Sequence, residues 1–311
     1  MSMNSSANDA GYTRGMGFLP PLAVTPANMI SNVPASTLLP WSAATTYAEK
    51  AEVIDPTTGV IYMSLTAGNL NKPLTDATKW QPRGVEERLR MFDSSLGSVT
   101  ENDELIEVVI TPGRVVTDVV LIDVQAHTVQ VVMTDPVEGV VRDTGEVLML
   151  RPSGNSHWGY FFHPIERETK LHVSGLPAYT QATVTIRIKN PGGKARCAEA
   201  VIGRAIWLGN TQWRPSIGFD DWGLKKRDAW GGWMVEKGAT SDRLKLQVQI
   251  EGTQYGRTRD LIRQHSSKPV VWFGARGYNV LTTLGYITSF EQVLVSHGIS
   301  DCNMTIEGLE Q

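Results

Sequence analysis

Cysteine occurs only twice in the 311 residues, at Cys197 and Cys302. Two thiols so far apart exclude a disulfide framework and give too few sulfur ligands for a structural zinc site, so both read as buried or free thiols. An excess of one charge is lacking too: 29 Lys and Arg against 32 Asp and Glu leave a formal net charge of −3. That balance does not favour nucleic acid or an anionic membrane as a partner. No apolar run approaches the roughly 18 residues that a membrane span requires, so no membrane insertion is expected. The opening MSMNSSANDAGYTRGMGFLPPL has no charged segment leading into a long apolar run. The chain is therefore expected to stay in the cytoplasm that makes it, unless exported as part of an assembly.

Catalytic signatures are missing as well. There is no G-x-S-x-G elbow, phosphate loop or H-E-x-x-H pair, and Trp230-Gly231-Gly232-Trp233 does not link a strand to a helix as a phosphate cradle must. The strongest case for chemistry is a glycan hydrolase using Asp220, Asp221 or Glu236, in a stretch that also holds Trp213, Trp222, Trp230 and Trp233. Such enzymes need two carboxylates at a defined separation. Asp220 and Asp221 are adjacent, however, and on a strand would face opposite sides of the sheet. The plainer reading is a solvated loop beside structural tryptophans. His157 and His163 flank Trp158-Gly159-Tyr160-Phe161-Phe162 with no Cys or carboxylate clustered nearby, and read as structural or surface histidines. The run Lys225-Lys226-Arg227 reads as a solvated turn. No catalytic residue, metal or cofactor is expected.

What the chain does have is β character in several units. Its length suggests two or three domains. Residues 1–40 are rich in Ser, Asn, Gly and Pro without a sustained period, and predict an extended arm, ordered only where it lies on a partner or on the rest of the chain. Residues 41–83 carry a hairpin: Val53 and Ile54 lead to Asp55-Pro56-Thr57-Thr58-Gly59, and Val60 to Met63 resume the strand. Residues 84–98 predict a linker with a short helical turn.

An antiparallel β-sandwich is expected over 99–200, from strands at Leu105–Ile110, Val115–Val124, His127–Met133 and Val184–Ile188. Turns are expected at Asp135–Gly139 and at Asn190-Pro191-Gly192-Gly193. Residues 201–311 predict a mostly β domain. Leu244, Leu246, Val248 and Ile250 alternate with polar residues, Val270–Phe273, Leu281–Tyr286 and Met304–Ile306 are strands, and one helix runs from a Thr253 cap to Lys268-Pro269. That helix shows an apolar side at Tyr255, Leu261 and Ile262.

The segment from Trp41 to Trp80 holds four large aromatics: Trp41, Tyr47, Tyr62 and Trp80. A module of about 40 residues without disulfides or metal needs such side chains to supply its core. The two tryptophans can close the module end to end, which makes core and closure the first reading of all four.

The order Trp41, Tyr47, Val53-Ile54, Asp55, Thr58-Gly59, Ile61-Tyr62, Ser64, Asn69, Pro73, Trp80 resembles small chitin-binding-type carbohydrate-binding modules. The resemblance implies glycan stacking on Tyr47, Tyr62 or Trp80. The wider arrangement, in which an arm precedes this module, a β-sandwich follows and the chain closes on Asp301-Cys302-Asn303-Met304-Thr305-Ile306-Glu307-Gly308-Leu309, resembles structural proteins of tailed-bacteriophage virions. It implies a non-enzymatic tail, baseplate or fibre-attachment component in the virion, assembling as a homo-oligomer with other tail proteins and contacting host surface glycan. A glycan-binding receptor-recognition protein and the hydrolase remain the alternatives.

Overall fold

A computed structural model describes residues 15–151, 166–212, 215–227, 230–251, 255–275, 278–295 and 298–310. The chain is mainly β, arranged in antiparallel sheets.

Residues 15–40 are built into the body of the protein. Strand β1 (Gly15–Leu19) is buried at every position, and β2 (Met29–Ser31) joins a different sheet. The arm is extended and ordered where it lies on the rest of the chain, and its polar composition hides five residues whose Met16, Phe18 and Leu19 are wholly buried. Gly17 is there because neighbours crowd the strand. A β-carbon at that position would lie 2.7 Å from the Ile206 carbonyl oxygen and from the Phe273 ring.

The small module contains β3 (Thr46–Tyr47), β4 (Glu52–Ile54), β5 (Val60–Ser64), β6 (Asn69–Leu70) and β7 (Trp80–Val85). Strand β3 pairs with β6, and β4, β5 and β7 form a three-stranded sheet. The predicted β4–β5 turn forms as the sequence requires. Asp55 accepts hydrogen bonds from the Thr57 N–H (2.9 Å) and the Thr58 hydroxyl (2.7 Å), and Gly59 takes the left-handed conformation at φ 73°. The expected helical turn in the linker is a 3₁₀ turn, Glu87–Phe92, burying Leu89 and Met91.

The next body consists of β8 (Thr100–Ile110), β9 (Asp118–Gln125), β10 (Thr128–Asp135), β11 (Gly139–Asp143), β12 (Val147–Leu148), β13 (Lys170–Ser174) and β14 (Thr183–Gly203), with β2 on an edge. Strand β14 spans both halves. Its first part lies between β10 and β8, and its second between β8 and β9. The two halves enclose one core that includes Ile106, Leu121, Val131, Ile186 and Cys197. Asn190-Pro191-Gly192-Gly193 is not the expected turn between strands. It is a bulge inside β14, where Lys189 pairs with Leu105 and Lys194 already pairs with Asp103.

The last body holds β15 (Ile206–Thr211), β16 (Ser216–Asp221), β17 (Leu224–Arg227), β18 (Trp233–Glu236), β19 (Thr240–Glu251), helix α1 (Tyr255–His265), β20 (Val270–Phe273), β21 (Thr282–Leu294) and β22 (Ile299–Glu310). Strands β15, β1, β20, β21, β22 and β19 pair in that order, and β19 pairs back to β15, closing a six-stranded barrel. The barrel encloses Phe18, Leu246, Trp272 and Met304, and α1 adds Ile262. The proposed helix cap Thr253 and the side chain of Tyr255 lie outside the described residues.

A third apolar cluster joins sandwich and barrel through Leu19, Val120, Ile122, Val201, Val271 and Phe273. The Val119–Ile122 part of β9 and the whole of β20 are consequently buried on both faces, which is why each reads as an unbroken apolar run.

Candidate functional site

Tyr47 and Trp80 form the interior of the small module, with Val53. Their rings meet edge to face at 5.3 Å. Each polar tip is satisfied from within: the Tyr47 hydroxyl accepts the Ser42 N–H at 2.8 Å, and Trp80 Nε1 donates to the Lys72 carbonyl at 3.0 Å. With Trp80 only 1% exposed and Tyr47 8%, neither offers a ring face to a sugar, so stacking on these two is corrected. The physical reason is size: a module of about 40 residues must spend its largest side chains on its own core. Trp41 and Tyr62 pack against this cluster half-buried, which leaves Tyr62 as the surviving glycan candidate.

Two carboxylates of the aromatic-rich stretch each pair with a cation. Asp220 pairs with Arg243 at 2.9 Å, and Asp221 with Lys225 at 2.5 Å. Hydrogen bonds from Lys225 and from the Gly223 N–H keep the Asp221 carboxyl below its ordinary value. An inverting or retaining hydrolase needs one carboxyl held protonated, and the contacts of Asp221 favour its charged form. Trp213, His157 and His163 lie outside the described residues.

Among the described residues, strands β17 and β18 pair only with each other, from Leu224↔Glu236 to Arg227↔Trp233, and all eight residues are exposed. The Arg227 guanidinium lies over the Trp233 ring, 4.7 Å from its centre. Phe219, Trp222, Trp230, Trp233, Met234 and Val235 are each at least 59% exposed around this ribbon. Sequence reasoning missed it as a surface. The available signal was a run of aromatics and cations with neither a helical nor a strand period, so no single face was set aside for a core.

Cys197 and Cys302 are both buried and free. Among the described residues, no group of three His, Cys, Asp or Glu side chains is arranged to hold a metal ion.

No family model and no curated protein matches the chain. Among solved structures, a mutant of a chitosan-binding module derived from a chitosanase/glucanase of Paenibacillus sp. IK-5 is similar in part. The likeness covers 38% of this chain and 84% of that one, at 13% identity and a TM-score of 0.26. At that level it says nothing about what this chain binds.

Proposed function

We propose that the chain is a non-enzymatic structural component of a tailed-bacteriophage tail or baseplate, made in the host bacterial cytoplasm and incorporated into the virion as an oligomer. The observation that carries the assembly role is the β17–β18 ribbon. An isolated two-stranded ribbon is marginal in water, and large apolar side chains left exposed around one favour docking of a partner. This one presents Trp222, Trp230 and Trp233 at 64%, 94% and 62% exposure. The phage setting is supported by the resemblance of the arm, small module, sandwich and closing segment to virion proteins.

Peptide mass spectrometry of purified particles, with immunogold labelling, tests the reading. The chain is expected at fixed stoichiometry on the tail. Its absence from particles, or turnover of a polysaccharide by the isolated protein, contradicts it.

Contact with host surface glycan is a second element of the proposal and rests on Tyr62, partly buried on β5. On a polysaccharide array, Tyr62→Ala is expected to weaken binding. An unchanged signal removes the glycan role.

A further inference from the structure

The two strands of the ribbon have different outer edges. Strand β17 carries Lys225, Lys226 and Arg227 in succession. A second β17 laid antiparallel on that edge would set Lys225, itself paired with Asp221, opposite Lys226 and bring four lysines and two arginines together, and like charges so placed repel. Lysines of this kind guard an edge against pairing. Strand β18 carries Trp233, Met234, Val235 and a single charge, Glu236. Among the described residues its outer edge has no partner strand, so one edge of the ribbon is defended and the other is open.

We infer that the outer edge of β18 is where two copies of this chain pair, β18 against β18 in antiparallel register about a two-fold axis. The inference rests on the assembly role proposed above and names the first partner in it. Two further features favour a second copy as the occupant. The first is exposed apolar surface. Trp233, Met234 and Val235 line β18 itself at 59–62% exposure, and Phe219, Trp222 and Trp230 in the flanking segments are 64–94% exposed, so pairing along β18 takes on the order of several hundred Å² of apolar surface from water.

The second is charge. Among the described residues, neither Arg227 nor Glu236 belongs to an ion pair, and they stand at opposite ends of the ribbon, Arg227 opposite Trp233 and Glu236 opposite Leu224. In the two-fold register that pairs all four residues of β18, Met234 faces Val235 of the second copy and Trp233 faces Glu236 of the second copy. Each Glu236 then sits beside the Trp233 ring over which the other copy's Arg227 lies. Two charges that cannot meet within one chain meet twice across the axis, as an isologous contact requires.

Sedimentation velocity of the full-length protein over a concentration series tests this. The wild type is expected to dimerise. Met234→Lys with Val235→Lys, which gives β18 the guard that β17 already has, is expected to leave a monomer with an unchanged melting temperature, since both side chains are exposed. Arg227→Glu and Glu236→Arg should each weaken the dimer about tenfold or more, and the two together should restore it. A wild type that stays monomeric, a dimer indifferent to the β18 lysines, or a double charge reversal that fails to rescue overturns the inference. Presence in particles tests the assembly reading separately: a monomer found in virions sinks the pairing alone, and a β18 dimer absent from virions sinks the virion role alone.

Discussion

Asp118 Oδ1 lies 3.0 Å from His172 Nε2 on neighbouring strands β9 and β13, on the sandwich face turned toward the barrel. Both side chains are essentially without solvent exposure. The imidazole rests against the Phe273 ring of the barrel, with centres 5.0 Å apart, and the backbone N–H of His172 donates to Asn279 Oδ1. This polar pair therefore lies inside the joint between the two large bodies. Its Nδ1 has no hydrogen-bond partner.

Removing the carboxylate strips the ring of its remaining nitrogen contact. Asp118→Ala is expected to cost about 2–4 kcal/mol, because a buried polar group left unpaired keeps its desolvation penalty. Urea denaturation measures this. A loss below about 0.5 kcal/mol, the size of an ordinary surface substitution, contradicts the role given to the pair.

Glu199 makes stability depend on pH. Burial, then the charge of Asp93, pushes its carboxyl from an ordinary 4.5 up to about 9. Between those values the folded chain holds a proton that the unfolded chain releases, so stability falls as pH rises through that window. Glu199→Gln keeps an acceptor for the Ser94 N–H, which donates to Glu199 at 3.0 Å, and removes the titration. At pH 8 the variant should be more stable than the wild type by roughly 2–4 kcal/mol, with little difference near pH 4. Denaturant curves at several pH values that run parallel for the two proteins contradict this.

Trp80 closes the small module. Trp80→Ala is expected to cost the module about 3–5 kcal/mol and expose residues 41–83 to protease, while Tyr62→Ala should leave its resistance intact. Equal resistance of wild type and Trp80→Ala to limited proteolysis shows that the module does not depend on this ring.

The arm is tested at Gly17, where an added β-carbon has no room. Gly17→Ala should destabilise the barrel by about 1–3 kcal/mol and make residues 15–19 cleavable, as β1 is forced from between β15 and β20. An unaltered melting temperature indicates that β1 is not integral to the barrel.

The parts of the fold that were legible are those with one clear environment. Alternation from Leu244 to Ile250 marked β19, half-buried along its length, and the unbroken run Val270–Phe273 marked β20, buried on both faces. Strand β1 was not legible because two of its five residues are glycines chosen for close approach, which look like loop. The Asn-Pro-Gly-Gly segment has turn chemistry, yet the partner strand continues past it and turns it into a bulge. At the candidate site, sequence identified the aromatics of 41–80 but could not tell a ring that fills a core from one that faces water. The ribbon went unread because a strand exposed on both faces has no apolar period.

The central claim is that this chain works through protein contact at the β17–β18 ribbon. Hydrogen–deuterium exchange of peptides covering residues 222–240, in dilute isolated protein and in intact particles, tests it most directly. The account predicts fast exchange in isolation and protection of at least tenfold in the particle. Equal exchange in both states contradicts it.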